Sequence, residues 1–361
     1  MNDQPSRRFA GRAASSSPPN RFEKVHHEAD LEQLAPGDEM LASERKIPTE
    51  FLPDDSKTLI RENDSPDVPF RYSVNPYRGC EHGCAYCYAR PGHETLGMNA
   101  GLDFETRILV KLNAANLLRR ELNKPGWKPE LIAVSGVTDC YQPAERRYRL
   151  TRGILEVLLE ARHPVALITK NSLICRDLDL LAPLAQQRLA YAGLSITTLD
   201  HELARTLEPR TATPAAKLRA IRELSAAGVP VRVMVAPIIP GLTDHELPDI
   251  LQAAQEAGAS GAGYIMLRLP WAVAPIFSAW LREHRPAAAE RIEHLIRDMR
   301  GGKLNDAAFG SRMRGHGPYA ANIQNTFEIF TRKLGLDQPW PQLDASQFVP
   351  PAIPGGQLRL F

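Results

Sequence analysis

Arg78-Gly79-Cys80-Glu81-His82-Gly83-Cys84-Ala85-Tyr86-Cys87-Tyr88 gathers three of the five cysteines of this chain into eight residues, at C-x3-C-x2-C spacing. Thiolates this close in sequence can wrap one soft-metal centre, and Gly79 and Gly83 let the backbone take the tight turns that aim them inward. The odd number argues against disulfides. Zinc asks for a fourth protein ligand, but Cys140 and Cys175 belong to no second CxxC pair, which leaves His82 as an awkwardly placed candidate. An iron-sulfur cluster suits the pattern better: four-iron clusters take four thiolates, so a three-Cys loop leaves one iron open to another ligand, and an open iron implies chemistry.

The rest of the chain is that of an ordinary globular protein, with 361 residues, 43% of them hydrophobic and 24% charged. No run of eighteen apolar residues exists, so no membrane partner is expected. Arg7-Arg8 is followed by no apolar segment, so no export signal is expected and the cytoplasm is the default location, in keeping with thiolate-ligated iron. A net charge of +2 neither demands nor excludes nucleic acid.

Residues 1–45, rich in Ser, Pro, Arg and acids, read as a disordered segment. From residue 70 onward short apolar runs alternate with helical patterns. Strands are expected at Phe70 to Pro76, Leu131 to Ser135, Val165 to Thr169, Ala190 to Ile196, Val231 to Ala236 and Gly263 to Leu267. Thr213-Pro214 reads as the cap and first residue of a helix ending before Gly228, and Asp244 as the cap of another ending before Gly258. Six strands separated by helices imply a parallel sheet with right-handed crossovers. The expected fold is α/β: a partial (β/α)6 TIM-type barrel over 60–300, a small C-terminal helical extension over 301–345 and a flexible tail over 346–361. Reactive groups in such barrels gather at the C-terminal ends of the strands.

The cysteine loop resembles that of the radical S-adenosylmethionine (SAM) superfamily, whose C-x3-C-x-aromatic-C loop holds a [4Fe-4S] cluster. Tyr86 stands in the aromatic slot. The resemblance implies that Cys80, Cys84 and Cys87 are the metal ligands. The open iron would chelate the amino and carboxylate groups of SAM, and reductive cleavage would give a 5'-deoxyadenosyl radical that takes hydrogen from substrate. An electron donor such as flavodoxin or ferredoxin is implied as a partner.

The segments that follow the strands are the next candidates. The Gly-Gly-Glu segment of many radical SAM proteins is absent after the second strand. Thr138 and Asp139 stand there as polar partners for SAM, with a turn-capping role for Asp139 as the alternative. Lys170, after the third strand, is placed to pair with the SAM carboxylate or to lie solvated on the rim, and Ser195 is in a position where a serine commonly meets SAM in this superfamily. Glu208 and Arg210 read as a loop-ordering salt bridge. Arg268 and Trp271, after the sixth strand, suit either the core or a ring-shaped substrate.

Tyr86 and Tyr88 flank Cys87 as in the spore photoproduct lyase branch, which implies a catalytic, hydrogen-relaying role for both. The donor cysteine of that branch falls here near Ser135 or Gly136, neither of them a thiol. Cys140, a few residues later, either takes the catalytic role or is an inert buried thiol, and Cys175 is most simply structural.

Arg312, Arg314 and His316 on a glycine-rich loop could approach phosphates, or form a solvated basic loop. After a Pro/Gly spacer, Gln357-Leu358-Arg359-Leu360-Phe361 resembles the short motif that docks bacterial repair proteins on the β sliding clamp. Two leucines and a phenylalanine would fill an apolar pocket while Gln357 hydrogen-bonds beside it. The expected function is radical SAM chemistry on damaged or modified DNA. Modification of RNA, protein or a small molecule, and a non-catalytic redox adaptor, are the alternatives.

Overall fold

The protein is described by a computed structural model that covers residues 12–15, 17–22 and 47–352. Its strands are β1 (Glu50–Pro53), β2 (Ile60–Glu62), β3 (Tyr72–Val74), β4 (Tyr77–Arg78), β5 (Arg107–Val110), β6 (Ile132–Val134), β7 (Val165–Thr169), β8 (Ala190–Ser195), β9 (Val231–Ile238) and β10 (Gly261–Met266). The main sheet has the order β10-β9-β8-β7-β6-β3-β2. Every pairing from β3 to β10 is parallel, and β2 runs antiparallel on the β3 edge. These are the six expected barrel strands, each placed within a few residues of its apolar run. All six residues of β8 are buried, as befits a parallel strand covered on both faces.

Helices cover the outer face and share one core with the strands, in which Ile154, Leu158, Leu181, Ile221, Leu251 and Val233 are fully buried. Thr213 caps the helix Pro214–Ala226 by accepting from the Ala216 amide, as its sequence predicts. Asp244 differs from expectation. It opens a short 3-10 turn, its carboxylate accepts from the Tyr319 hydroxyl, and the α-helix begins only at Leu247, because a tertiary partner outbids the local cap.

A second sheet, β1-β5-β4, was not legible in the sequence. β4 leads directly into the cysteine loop, and the Cys80 amide donates to the Phe104 carbonyl just before β5. Residues 12–15 and 17–22 belong to the stretch expected to be disordered, yet they pack on this loop. Ala14 is buried, with its amide on Glu105, and the Asn20 side chain donates to the carbonyls of Glu94 and Met98. The C-terminal helix Gly317–Leu334 packs with Phe327 against Tyr264 of β10. Residues 344–352 then run across the N-terminal ends of the strands, where Val349 donates to the Ala161 carbonyl and Asn123 to that of Pro351. The Gln357–Phe361 motif lies outside the described residues.

Candidate active site

Gly79 and Gly83 sit at φ +81° and +64°. A Cβ on Gly79 would meet His93 at 2.8 Å and the Phe104 carbonyl at 3.0 Å; one on Gly83 would meet Arg12 at 2.5 Å. Both positions therefore need glycine for space as well as for conformation. Fully buried Arg90 holds the loop from inside. Its guanidinium donates to the carbonyls of Gly83, Cys84, Ala100 and Gly101 and pairs with Glu105 at 2.5 Å. Gln142 completes the frame, donating to the Gly79 carbonyl at 3.1 Å and accepting from the Glu81 amide at 2.9 Å. Spacing gave no sign of Arg90, Glu105 or Gln142 as loop supports, because their partners are mostly backbone carbonyls and amides.

Inside the barrel mouth the loop meets a buried polar network. The Tyr86 hydroxyl donates to Glu208, which also pairs with Lys170 at 3.3 Å and with Lys217. Lys170 donates to Thr197 at 2.9 Å and to the Ala236 carbonyl at 2.8 Å, and its ammonium lies 5.4 Å from the centre of the Tyr86 ring. Burial pushes the Glu208 carboxyl up, but Lys170 and Lys217 outweigh it and hold the group well below the usual carboxylate range. Burial likewise lowers Lys217, opposed by Glu208. Glu208 thus turns inward instead of pairing with Arg210, which takes Glu81 at 3.0 Å. Lys217, on the capped helix, carried no sequence signal.

The remaining candidates separate. Asp139 accepts from the Tyr141 amide at 2.8 Å, the Thr169 hydroxyl at 2.7 Å and the Lys170 amide at 2.7 Å, so it closes its own turn and ties β6 to β7. Thr138 donates to the Tyr77 carbonyl at 3.0 Å. Ser195 is buried at the end of β8 with no side-chain hydrogen bond among the described residues. The His82 ring sits between Asp139 and Asn171. Tyr88 is 47% exposed and donates to the Gly136 carbonyl. Cys140 is fully buried in the barrel core, its thiol 3.8 Å from the Ile168 carbonyl. Cys175 is half-buried against the same core. Arg312 pairs with Asp67, Arg314 donates to the Tyr264 carbonyl and His316 lies 3.5 Å from Asp306, so this loop spends its charges internally.

The sequence profile of the radical SAM superfamily matches residues 74–254, from β3 to the helix before β10. The chain belongs to the radical SAM superfamily. An uncharacterized Mycobacterium tuberculosis protein is 43% identical over 232 residues, 64% of this chain and 68% of that one. A radical SAM Nα-GlyT isomerase of Pseudomonas phage M6 is 26% identical over 196 residues, 54% of this chain and 38% of that protein. Among solved structures, spore photoproduct lyase complexed with dinucleoside spore photoproduct shares the fold at a TM-score of 0.57 and 18% identity, covering 80% of this chain and 84% of that one.

A radical SAM enzyme takes a [4Fe-4S] cluster and SAM, and the residues present fit them. Cys80, Cys84 and Cys87 are free thiols, and among the described residues no three His, Cys, Asp or Glu side chains converge as ligands of a single ion do. Three free thiols on one loop fit three corners of a four-iron cluster. Burial pushes all three thiols up, with Asp139 adding to the effect at Cys80 and Glu208 at Cys84, while Arg90 opposes it at Cys87. Cys80, Cys84 and Cys87 would hold the cluster, and coordination would offset that penalty and make them thiolates. When bound, the pair supplies reductive cleavage of SAM. The barrel mouth beside the loop holds a partly buried ammonium at Lys170 and a Ser195 hydroxyl with no hydrogen bond among the described residues.

Proposed function

We propose that this radical SAM enzyme acts on damaged or modified DNA. The observation that carries the reading is Tyr88, a half-exposed aromatic beside Cys87 at the C-terminal ends of the strands, where a base can stack. The fold it shares with a structure holding a dinucleoside spore photoproduct supports the same substrate class. In this reading Cys80, Cys84 and Cys87 hold the cluster, Lys170 and Ser195 meet SAM with Thr138 and Asp139 shaping the wall beside it, and Tyr86 and Tyr88 face the reaction. Flavodoxin or ferredoxin supplies the electron, in the cytoplasm. Gln357, Leu358, Leu360 and Phe361 dock on the β sliding clamp. Residues 344–352 lie at the end of the barrel opposite the cysteine loop.

The test is formation of 5'-deoxyadenosine by anaerobically reconstituted, reduced protein with SAM, with and without irradiated or chemically modified duplex DNA. A rise with DNA is expected; turnover indifferent to every DNA tested removes the substrate assignment. Calorimetry with purified sliding clamp reads the docking separately. Binding should disappear on deletion of residues 357–361, and equal heats from both forms would dismiss the motif.

A further inference from the structure

Arg268 follows the last barrel strand, two residues after β10, and among the described residues it is the arginine of its neighbourhood left without an oxygen acceptor. Among the described residues its buried Nε has no partner, and one terminal nitrogen reaches only the Met313 sulfur at 3.6 Å. No carboxylate of the described residues lies within ion-pair distance of it. The surrounding arginines are committed: Arg300 to the carbonyls of Leu267 and Ser311, Arg312 to Asp67 and Ser65, Arg314 to the Tyr264 carbonyl. A half-buried guanidinium without its anion is costly, and a built structure keeps one where an anion arrives.

The surroundings of Arg268 say which anion. The guanidinium carbon lies 5.4 Å from the centre of the Tyr88 ring, whose hydroxyl is anchored to Gly136 on the far side of the mouth. Three residues on, Trp271 is 67% exposed, carries the Arg21 guanidinium 4.1 Å from its ring centre and holds φ +45°, a left-handed conformation that a bulky residue rarely adopts and that clusters at binding sites. A cation beside an accessible ring suits a nucleotide, with its phosphate on the guanidinium fork and its base against the aromatic face.

We propose that Arg268 binds a backbone phosphate of the nucleic-acid substrate at the barrel mouth, with Tyr88 as the stacking face beside it. The inference rests on the DNA reading above and adds to it the residue that grips the strand. Arg268 is a binding residue, and the cluster and SAM are held by other side chains.

The experiment is fluorescence anisotropy of the reconstituted holoprotein with SAM, titrated with a single-stranded oligonucleotide lacking terminal phosphates, at several salt concentrations. R268Q should weaken binding roughly ten-fold and lower the salt slope by about one, as loss of one phosphate contact does. R268K, which keeps the charge and loses the fork, should fall between. R120Q, an exposed arginine on the helix before β6, should match the parent, and thermal melting of each variant shows that the fold survives. Replacing successive phosphates by methylphosphonates should find one position that matters to the parent and not to R268Q. Parent-like affinity and slope in R268Q overturn the inference while leaving the DNA reading standing. Failure of the parent to bind any oligonucleotide overturns both. Loss of SAM affinity in R268Q would reassign the guanidinium to the SAM carboxylate, and displacement of the strand by inorganic phosphate or a mononucleotide at low concentration would reassign it to a free phosphate.

Discussion

Tyr86 donates its phenolic hydrogen to Glu208 across 122 positions of chain, and both side chains are buried. Through Lys217 the same carboxylate reaches the helix Pro214–Ala226, so the cysteine loop is fastened to the barrel wall by one shared anion. Glu208→Gln keeps the shape and leaves two ammonium groups without a carboxylate. It should cost about 3–5 kcal/mol. Chemical denaturation measures the loss, and the double variant with Lys217→Met should recover part of it. Parent-like stability in Glu208→Gln would mean that the network contributes nothing to the fold.

Asp54 accepts from Arg78 at 2.8 Å and from Lys111 at 2.6 Å at the foot of the same loop. Burial raises its carboxyl, but Lys111 and Ser56 outweigh that and bring it to about 2. A depressed folded value contributes stability above the unfolded carboxylate range and loses it as pH falls. The parent should therefore exceed Asp54→Asn by about 2 kcal/mol at neutral pH. The gap should close between about pH 5 and pH 2. Melting curves of both proteins across that window decide it; a gap that stays constant with pH would show that Asp54 acts by shape alone.

Gly79→Ala puts a methyl group against His93 and the Phe104 carbonyl at a left-handed φ. Strain of about 1–2 kcal/mol is expected from the conformation alone. The protein should still fold, with its three thiols intact, but take up less iron and sulfide. Full loading of this variant would show that the loop tolerates a side chain there.

Cys84→Ala should abolish the cluster, read as iron and sulfide content after anaerobic reconstitution. Cys84 lies between the other two ligands, and its carbonyl accepts from Arg90, so the backbone frame stays while one ligand goes. Retention of parental iron and sulfide would contradict the ligand assignment.

Cys140→Ala addresses the thiol that the structure places in the core. It should cost about 1 kcal/mol, with 5'-deoxyadenosine formation and product pattern unchanged. A changed product with normal SAM cleavage would restore the thiol to the reaction.

Much of the architecture was legible because its signals are local. The cysteine spacing, the six apolar runs and the Thr213-Pro214 cap each depend on residues within one or two turns of one another, where propensity and periodicity act directly. Tyr86 and Lys170 were reachable in the same way, one from the loop pattern and the other from its place after a strand. Asp244 misled because a tertiary partner, Tyr319, took the oxygen that a local cap would have used.

The sequence by itself determined a parallel α/β barrel and a loop of three closely spaced thiols, since those features are written in spacing and periodicity. Only the tertiary structure decided that Glu208 faces Lys217 and not Arg210, that Arg90 and Glu105 pin the loop from within, that Cys140 is core and that the Arg268 Nε has no partner among the described residues. Each of these depends on which groups distant in sequence share a low-dielectric space once strands pair and helices cross over, and pairing at that range follows from register and packing, which no local pattern encodes.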